Sequence, residues 1–241
     1  MRIHVINPNA TTAMTEQIGR AARRAASPGT EIDLATAEGT PVSIEGYADE
    51  ALCIPPMLAA IRAAEARGAQ THVLACFDDP GLDAAREVAG GPVLGICQAS
   101  IQVAMTLAAR FSVVTTLPRS VPIIEDLADA YGAGRRLRRV RSIDLPVLAL
   151  DEEPARAFRL LCSEVRIAAT QDGAELVILG CAGMAELCDR LAAETGVPVL
   201  DGVTAAVRLA EALIGMGART SKLGSYNWPR QKLGGFTPEA A

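Results

Sequence analysis

Aromatic side chains and histidines are scarce in this sequence. Phe, Trp and Tyr together make up 3% of the 241 residues, and the two histidines are His4 and His72. So few aromatic side chains argue against a surface on which nucleic-acid bases would stack. The net charge of -5 also opposes binding to a phosphate backbone. We therefore predict that the chain does not bind nucleic acid.

Long apolar runs and paired metal-ligand motifs are missing as well. No stretch of about 18 residues, the length that spans a membrane, is free of charge. The N-terminal residues MRIHVINPN reach Asn7 and Pro8 before the apolar core of a signal peptide could form. The six cysteines form no CxxC pair, which disfavours a zinc site. The sequence thus predicts a cytoplasmic chain with reduced thiols, no membrane contact and no metal.

Glycine-rich phosphate loops are also absent. Gly132 and Gly134 do not belong to a complete GxGxxG motif, and no GxxxxGK[ST] loop occurs. We therefore expect chemistry that needs no nucleotide cofactor.

Short apolar runs alternate with longer helical patterns along the chain. Half of the residues are hydrophobic, enough for a sizeable core. Runs such as ELVILG, from Glu175, are typical of strands buried on both faces of a parallel sheet. The alternation predicts an α/β fold. Pro55-Pro56 is expected to interrupt or start a helix, and 137–150 to hold one or two strands. The predicted strands are Ile3 to Ile6, Glu31 to Thr36, Thr71 to Ala75, Val93 to Ile96, Phe111 to Thr116, Leu176 to Leu179 and Val197 to Leu200.

An internal repeat divides the chain into two related parts. The segment from Thr71 and the segment from Ala174 both contain a strand, a cysteine, a glycine-containing turn, a helix, a PVL strand and a second helix. Cys76 corresponds to Cys181 in this repeat. The predicted halves are 1–98 with 208–241, and 99–207. Because ligands of parallel α/β sheets bind at the carboxyl ends of strands, both cysteines are expected to face one shared cleft.

Cys76 and Cys181 are the candidate catalytic residues. Each ends an apolar strand and precedes a turn that opens a helix, where the helix dipole should lower the thiol pKa. Two matched bases across a cleft suit proton abstraction from a carbon next to a carbonyl, with reprotonation from the opposite face. Backbone N–H groups after each cysteine could bind the resulting enolate. The alternative is that both thiols only fill the core.

Other polar residues at the strand ends have two interpretations. Asn9 and Thr116 either cap helices and form turns or hydrogen-bond to a polar substrate. Asp78 and Asp79 are expected to cap the helix that begins near Gly81. The remaining cysteines are expected to fill the core; they are Cys53, Cys97, Cys162 and Cys188.

Several longer motifs point to a known family. They are VINPN at Val5, SIEGYADEAL at Ser43, ACFDDPGLDAARE at Ala75, RFSVVTT at Arg110, DGAELVILGCAGM at Asp172 and VPVLDGVTAAVRLAEAL at Val197. In these motifs the sequence resembles the hydantoin racemases, within the aspartate/glutamate racemase superfamily. The resemblance implies two flavodoxin-like halves, each a parallel sheet in three αβα layers, related by a pseudo-twofold axis with the active site between them.

The resemblance also implies an activity and a set of site residues. The implied enzyme racemises 5-monosubstituted hydantoins without metal, pyridoxal phosphate or nucleotide, using Cys76 and Cys181 as acid and base. Its partners would be a small-molecule substrate and further copies of the chain in a homo-oligomer. The residues implied to bind the substrate are Asn9, Ile44, Phe77, Asp78, Thr116, Ala182 and Gly183.

Three alternatives remain at this point. A polar pocket would favour allantoin, which is a hydantoin with a ureido substituent. An aspartate or glutamate racemase, or a maleate-type isomerase, would need a cationic clamp, and Arg119 is the nearest basic residue to the candidate motifs. A non-enzymatic binding protein would not need its cysteines. Ala10 and Gln98 depart from the commonest family pattern and bear on substrate choice.

Overall fold

The computed structural model describes residues 1–230, and these contain eight strands and nine α-helices. The strands are β1 Arg2–Asn7, β2 Glu31–Thr36, β3 Thr71–Leu74, β4 Val93–Gly95, β5 Phe111–Thr115, β6 Leu137–Ser142, β7 Leu176–Leu179 and β8 Val199–Asp201. The helices are α1 Thr12–Ala25, α2 Tyr47–Ala66, α3 Leu82–Val88, α4 Ile96–Leu107, α5 Val121–Ala130, α6 Ala149–Glu152, α7 Pro154–Gln171, α8 Cys188–Thr195 and α9 Gly202–Gly215.

The strands form two parallel sheets with the same topology. One sheet has the order β2-β1-β3-β4 and the other β6-β5-β7-β8, so each strand of the first sheet has its counterpart at the same place in the second. Every residue of β3 and β7 is buried, as expected for strands covered on both faces. The predicted α/β fold with two flavodoxin-like halves is confirmed, and the sequence repeat is visible as a repeat of sheet topology.

The two halves share a continuous core. Side chains of β1, β5, β7 and α9 belong to one apolar cluster, and α1 packs against α9. At the start of α9, a Cβ on Gly202 would lie 2.5 Å from the carbonyl oxygen of Ile96 at the start of α4. Glycine is therefore required where these two helices meet. The proposed division at 98 and 207 stays a prediction, and its last residues, 231–241, lie outside the described part.

One local expectation was wrong. Helix α2 continues through Pro55 and Pro56, because Pro55 faces solvent and the carbonyls of Ala51 and Leu52 that lose their amide partners belong to exposed residues that water can reach. The buried face of the same helix, which includes Met57 and Ile61, holds it against the sheet. Residues 137–150 contain one strand, which agrees with the expected one or two, and the start of the short α6. Within residues 1–230, no helix has the length and apolarity needed to cross a membrane.

Candidate active site

The candidate site is a cleft at the carboxyl ends of the central strands of both sheets. Cys76 and Cys181 each lie two residues beyond their strands, β3 and β7, and both line the cleft. The turn after each cysteine is built in the same way: the amide of Asp79 donates to the Cys76 carbonyl at 3.2 Å, and that of Met184 donates to the Cys181 carbonyl at 3.0 Å. The sequence repeat thus places both thiols at equivalent points of one cleft.

Most of the residues named from the sequence lie on this cleft. Its lining includes Asn9, Ile44, Cys76, Phe77, Asp78, Thr116, Cys181 and Ala182. Gly183 does not line it; its amide instead hydrogen-bonds to Cys181, and a Cβ there would lie 3.8 Å from the Cys181 sulfur. Asp78 provides the corresponding amide for Cys76. The roles of these residues in substrate binding stay predictions.

The expectation that both thiols have a lowered pKa was wrong. Burial raises the pKa of Cys76 well above its usual value, and the Asp78 carboxylate raises it further. Burial also raises the pKa of Cys181 to about 12. The loss of solvation outweighs the single amide that each sulfur receives, so both thiols are protonated at neutral pH.

The two aspartates after Cys76 have different surroundings. Asp79 caps α4 rather than α3: its carboxylate accepts hydrogen bonds from the amides of Cys97 at 3.1 Å and Gln98 at 2.9 Å. The hydroxyl of Tyr131, which belongs to the half with the second sheet, donates a third hydrogen bond to Asp79 at 2.9 Å. Asp79 has a φ of 43° and approaches Gly95 so closely that a Cβ there would lie 2.2 Å from the Asp79 carboxyl group.

Asp78, in contrast, lines the cleft and is 8% exposed. Burial raises the pKa of its carboxyl to about 7, and the neighbouring Glu50 and Asp79 carboxylates raise it as well. Among residues 1–230 this carboxyl group accepts no hydrogen bond. The expectation that Asp78 and Asp79 cap α3 was therefore wrong for both residues.

Hydroxyl groups line the opposite wall of the cleft. Thr115 donates to the carbonyl of Gly180 at 2.9 Å and is engaged within the protein. The side-chain hydroxyls of Thr116 and Ser120 have no protein partner in the described part of the chain, and both residues line the cleft. Sequence reasoning missed Ser120; its position just after the polar strand end VVTT was the available signal.

Asn9 is held by the loop that contains it. Its Oδ1 accepts hydrogen bonds from the Asn7 side chain at 2.8 Å and from the Thr11 amide at 2.9 Å. Its Nδ2 lies 3.2 Å from the sulfur of Met14, which also lines the cleft. The amide Nδ2 is therefore the part of Asn9 that remains for a ligand.

Ile44 and Val147 form the remaining apolar wall, one from each half. Glu45 joins them, since its carboxylate accepts a hydrogen bond from the Val147 amide at 2.9 Å.

The cleft carries no cation. None of its described lining residues is Lys, Arg or His. The guanidinium of Arg119 packs instead beside Gly46, where a Cβ would lie 2.8 Å from it. Among the described residues, no group of three His, Cys, Asp or Glu side chains is placed to hold a metal ion. The arrangement suits a neutral ligand and proton transfer.

Comparison with known proteins agrees with this geometry. Residues 3–210 match the sequence model of the Asp/Glu/Hydantoin racemase family. The chain belongs to this family. A hydantoin racemase of Rhizobium meliloti is 61% identical over 96% of both chains, and one of Pseudomonas sp. (strain NS671) is 47% identical over 96% of this chain and 93% of that protein.

A solved structure has nearly the same fold. An allantoin racemase from Klebsiella pneumoniae superposes with a TM-score of 0.94 at 46% identity, covering 96% of this chain and 95% of the other. The predicted family and the predicted class of enzyme, an isomerase, are thereby confirmed.

Proposed function

We propose that this member of the Asp/Glu/hydantoin racemase family racemises 5-monosubstituted hydantoins without a cofactor. The observation that carries the proposal is the placement of Cys76 and Cys181 at equivalent strand ends of two matching sheets, both lining one cleft. The hydantoin racemases at 61% and 47% identity support the substrate class. A small neutral molecule is then the partner of the site.

In the proposed reaction, one cysteine acts as thiolate and the other as thiol. The thiolate removes the proton at C5, and the electron pair of the C–H bond moves toward the C4 carbonyl to form an enolate. The opposite thiol then returns a proton to the other face of C5 and becomes the thiolate. Because burial raises the pKa of both thiols, one proton must leave the pair before turnover.

The cleft offers groups for each part of the ring. The hydroxyls of Thr116 and Ser120 are free to donate to the enolate oxygen, and Asn9 can orient the ring through its Nδ2. Phe77 and Ile44 can pack against the 5-substituent. In this proposal Ala182 lines the floor, while Gly183 acts through its amide on Cys181.

The charge of the site favours a neutral substrate over an anionic one. Aspartate, glutamate and maleate carry carboxylates, which would meet Asp78 in a cleft without a basic side chain among its described lining residues. Hydantoins carry no carboxylate at C5. The alternatives of an amino-acid racemase and a maleate-type isomerase are therefore disfavoured, and a binding protein would not need paired thiols.

Allantoin is a second candidate substrate. The specific observation in its favour is the likeness to an allantoin racemase at a TM-score of 0.94 and 46% identity. Its neutral ureido group also suits a cleft whose described lining has polar side chains and no basic one. The two candidates share the reaction and differ only in the 5-substituent.

One experiment tests both substrates. The reduced protein is incubated in D2O with L-5-benzylhydantoin and, separately, with (S)-allantoin, and optical rotation and C5 deuteration are followed against a sample without protein. We expect catalysed loss of rotation with deuterium uptake, and the ratio of rates identifies the preferred substituent. Absence of catalysis on both would contradict the proposal.

Two further properties belong to the proposal. We propose a cytoplasmic location, supported by six free cysteines that a reducing compartment would preserve. We also propose a homo-oligomer, supported by exposed large apolar side chains such as Val42 and Leu52. Size-exclusion chromatography with light scattering checks the second property.

A further inference from the structure

Asp78 is a buried acid in the cleft without a partner in the described protein. It is 8% exposed, and the charged groups that act on it are the carboxylates of Glu50 and Asp79. Asp79, its neighbour in sequence, receives three hydrogen bonds. Glu50, like Asp78, lacks a donor: its buried Oε1 has no hydrogen-bond partner among residues 1–230. The protein thus supplies hydrogen-bond donors to Asp79 and none to Asp78, which lines the cleft.

A buried carboxylate without a donor destabilises a protein unless something else supplies the donor. A hydantoin can supply it, because its ring has two N–H groups, N1–H and N3–H. N1 is bonded directly to C5, the carbon that must sit between the two thiols. Asp78 lies two residues from Cys76, and its charge acts on that thiol. The N–H that can reach Asp78 while C5 faces Cys76 is therefore N1–H.

The charge that develops during the reaction fixes the same orientation. The C4 oxygen gains negative charge in the enolate, and a carboxylate beside it would raise the barrier. The free hydroxyls of Thr116 and Ser120 come from the other half of the molecule, after β5. The C4 oxygen is therefore best placed toward these hydroxyls, with N1–H toward Asp78.

We propose that Asp78 is a specificity-determining residue that accepts a hydrogen bond from the N1–H of the substrate. The proposal rests on the proposed racemase function and adds the chemistry of recognition: a neutral ring with an N–H next to the reacting carbon. The same carboxylate repels substrates with a carboxylate at that position, which is the feature of amino-acid and diacid substrates.

The test compares 5-benzylhydantoin with its N1-methyl and N3-methyl derivatives at pH 8, above the raised pKa of about 7 of the Asp78 carboxyl, so that this group is ionised. The enzymes are the wild type, Asp78→Leu, Asp78→Asn and a matched control, Asp126→Asn, whose side chain is exposed on α5. In the wild type and in the control, N1-methylation should lower kcat/KM by about 10- to 100-fold, the range for a hydrogen bond to a charged group. In Asp78→Leu this N1-methyl penalty should fall to within about threefold, because the acceptor is gone.

Asp78→Asn is a second variant that keeps the test valid if Asp78→Leu does not fold. Its neutral amide oxygen accepts a weaker hydrogen bond, so the N1-methyl penalty should fall by about fivefold to tenfold from the wild-type value. The N3-methyl penalty should be the same in all variants. An unchanged N1-methyl penalty in both Asp78 variants would overturn the inference, and so would a loss confined to the N3-methyl penalty.

The proposed function and this inference fail in different ways. A wild type that racemises 5-benzylhydantoin with an N1-methyl penalty independent of residue 78 keeps the function and overturns the role of Asp78. A wild type that exchanges C5 of neither 5-benzylhydantoin nor allantoin overturns both. If the Asp78 variants lose activity on allantoin while retaining their full N1-methyl penalty on benzylhydantoin, Asp78 binds the ureido group and the inference is again overturned.

Discussion

The hydroxyl of Tyr131 donates a 2.9 Å hydrogen bond to the carboxylate of Asp79, and so connects the two halves directly behind Cys76. Asp79 in turn caps α4 through two backbone amides. The turn that carries one candidate catalytic thiol is therefore fixed from both halves of the molecule.

Replacement of Tyr131 by Phe should loosen this turn. The variant leaves a buried carboxyl group with one donor fewer, so we expect the free energy of unfolding to fall by about 1–3 kcal/mol. We also expect a larger change in kcat than in KM, because the substitution displaces Cys76 and leaves the contacts with the ligand in place. Urea unfolding and racemisation kinetics measure both effects. Tyr47→Phe is the control, since Tyr47 is exposed; equal effects in the two variants would contradict the expectation.

Removal of either candidate thiol should separate exchange from racemisation. With one base left, the C5 proton of one enantiomer can still be removed and replaced on the same face. We expect Cys76→Ala and Cys181→Ala to lose racemisation by at least about a thousandfold, and each to retain deuterium exchange on one enantiomer, opposite in the two variants. Proton NMR in D2O with each pure enantiomer measures this. Cys162→Ala, a substitution in the core of the second half, should keep both activities, and racemisation by either single-cysteine variant would exclude the two-base mechanism.

The meeting of α4 and α9 should not tolerate a side chain on Gly202. A Cβ there would lie 2.5 Å from the Ile96 carbonyl oxygen, so Gly202→Ala forces the helices apart. We expect a loss of about 2 kcal/mol or more in the free energy of unfolding. Gly215→Ala, at the far end of the same helix, meets no atom within 4 Å and should be neutral or slightly stabilising. Denaturant unfolding compares the two, and equal midpoints would show that the helices adjust freely.

Acid should destabilise the fold through a buried pair of histidines on β1 and β3. The Nδ1 atoms of His4 and His72 lie 3.0 Å apart, and burial lowers the pKa of His4 to about 3. The unfolded chain binds this proton near pH 6.5, whereas the folded chain does not. Stability from His4 is therefore complete above about pH 6.5 and declines as the pH falls toward 3, by up to about 1.4 kcal/mol per pH unit.

Urea unfolding at pH 7 and pH 5 measures this decline. His4→Gln removes the titrating group, so the difference in stability between the two pH values should shrink by about 2 kcal/mol relative to the wild type. Carboxylates that titrate in the same range are common to both proteins and cancel in the comparison. An identical difference in the two proteins would show that His4 does not contribute.

The repeat made much of this molecule predictable from its sequence. Apolar runs located the strands of both sheets, and the correspondence of Cys76 with Cys181 identified two residues that the fold brings to one cleft. Both inferences depend on local patterns that recur, and recurrence distinguishes a shared structural position from chance.

Features that depend on contacts distant in sequence were not predictable. The cap of α4 comes from Asp79, which is 18 residues from the Cys97 amide whose hydrogen bond it accepts. The thiol pKa depends on how far the two halves enclose the cysteines, and the sequence does not encode that depth locally. Ser120 and Val147 follow β5 and β6, and their places on the cleft depend on how the second sheet is positioned.

The match between the two halves is imperfect at one informative point: Cys76 is followed two residues on by Asp78, and Cys181 by Gly183. The two enantiomers of a substrate are equal in free energy, so the ratio of their kcat/KM values is one for any racemase. An acid on one side only means that the two enantiomers need not bind equally well. The enantiomer that this carboxylate binds more tightly must then have a lower kcat by the same factor. An excess of that enantiomer would occupy the site and inhibit conversion of the other enantiomer.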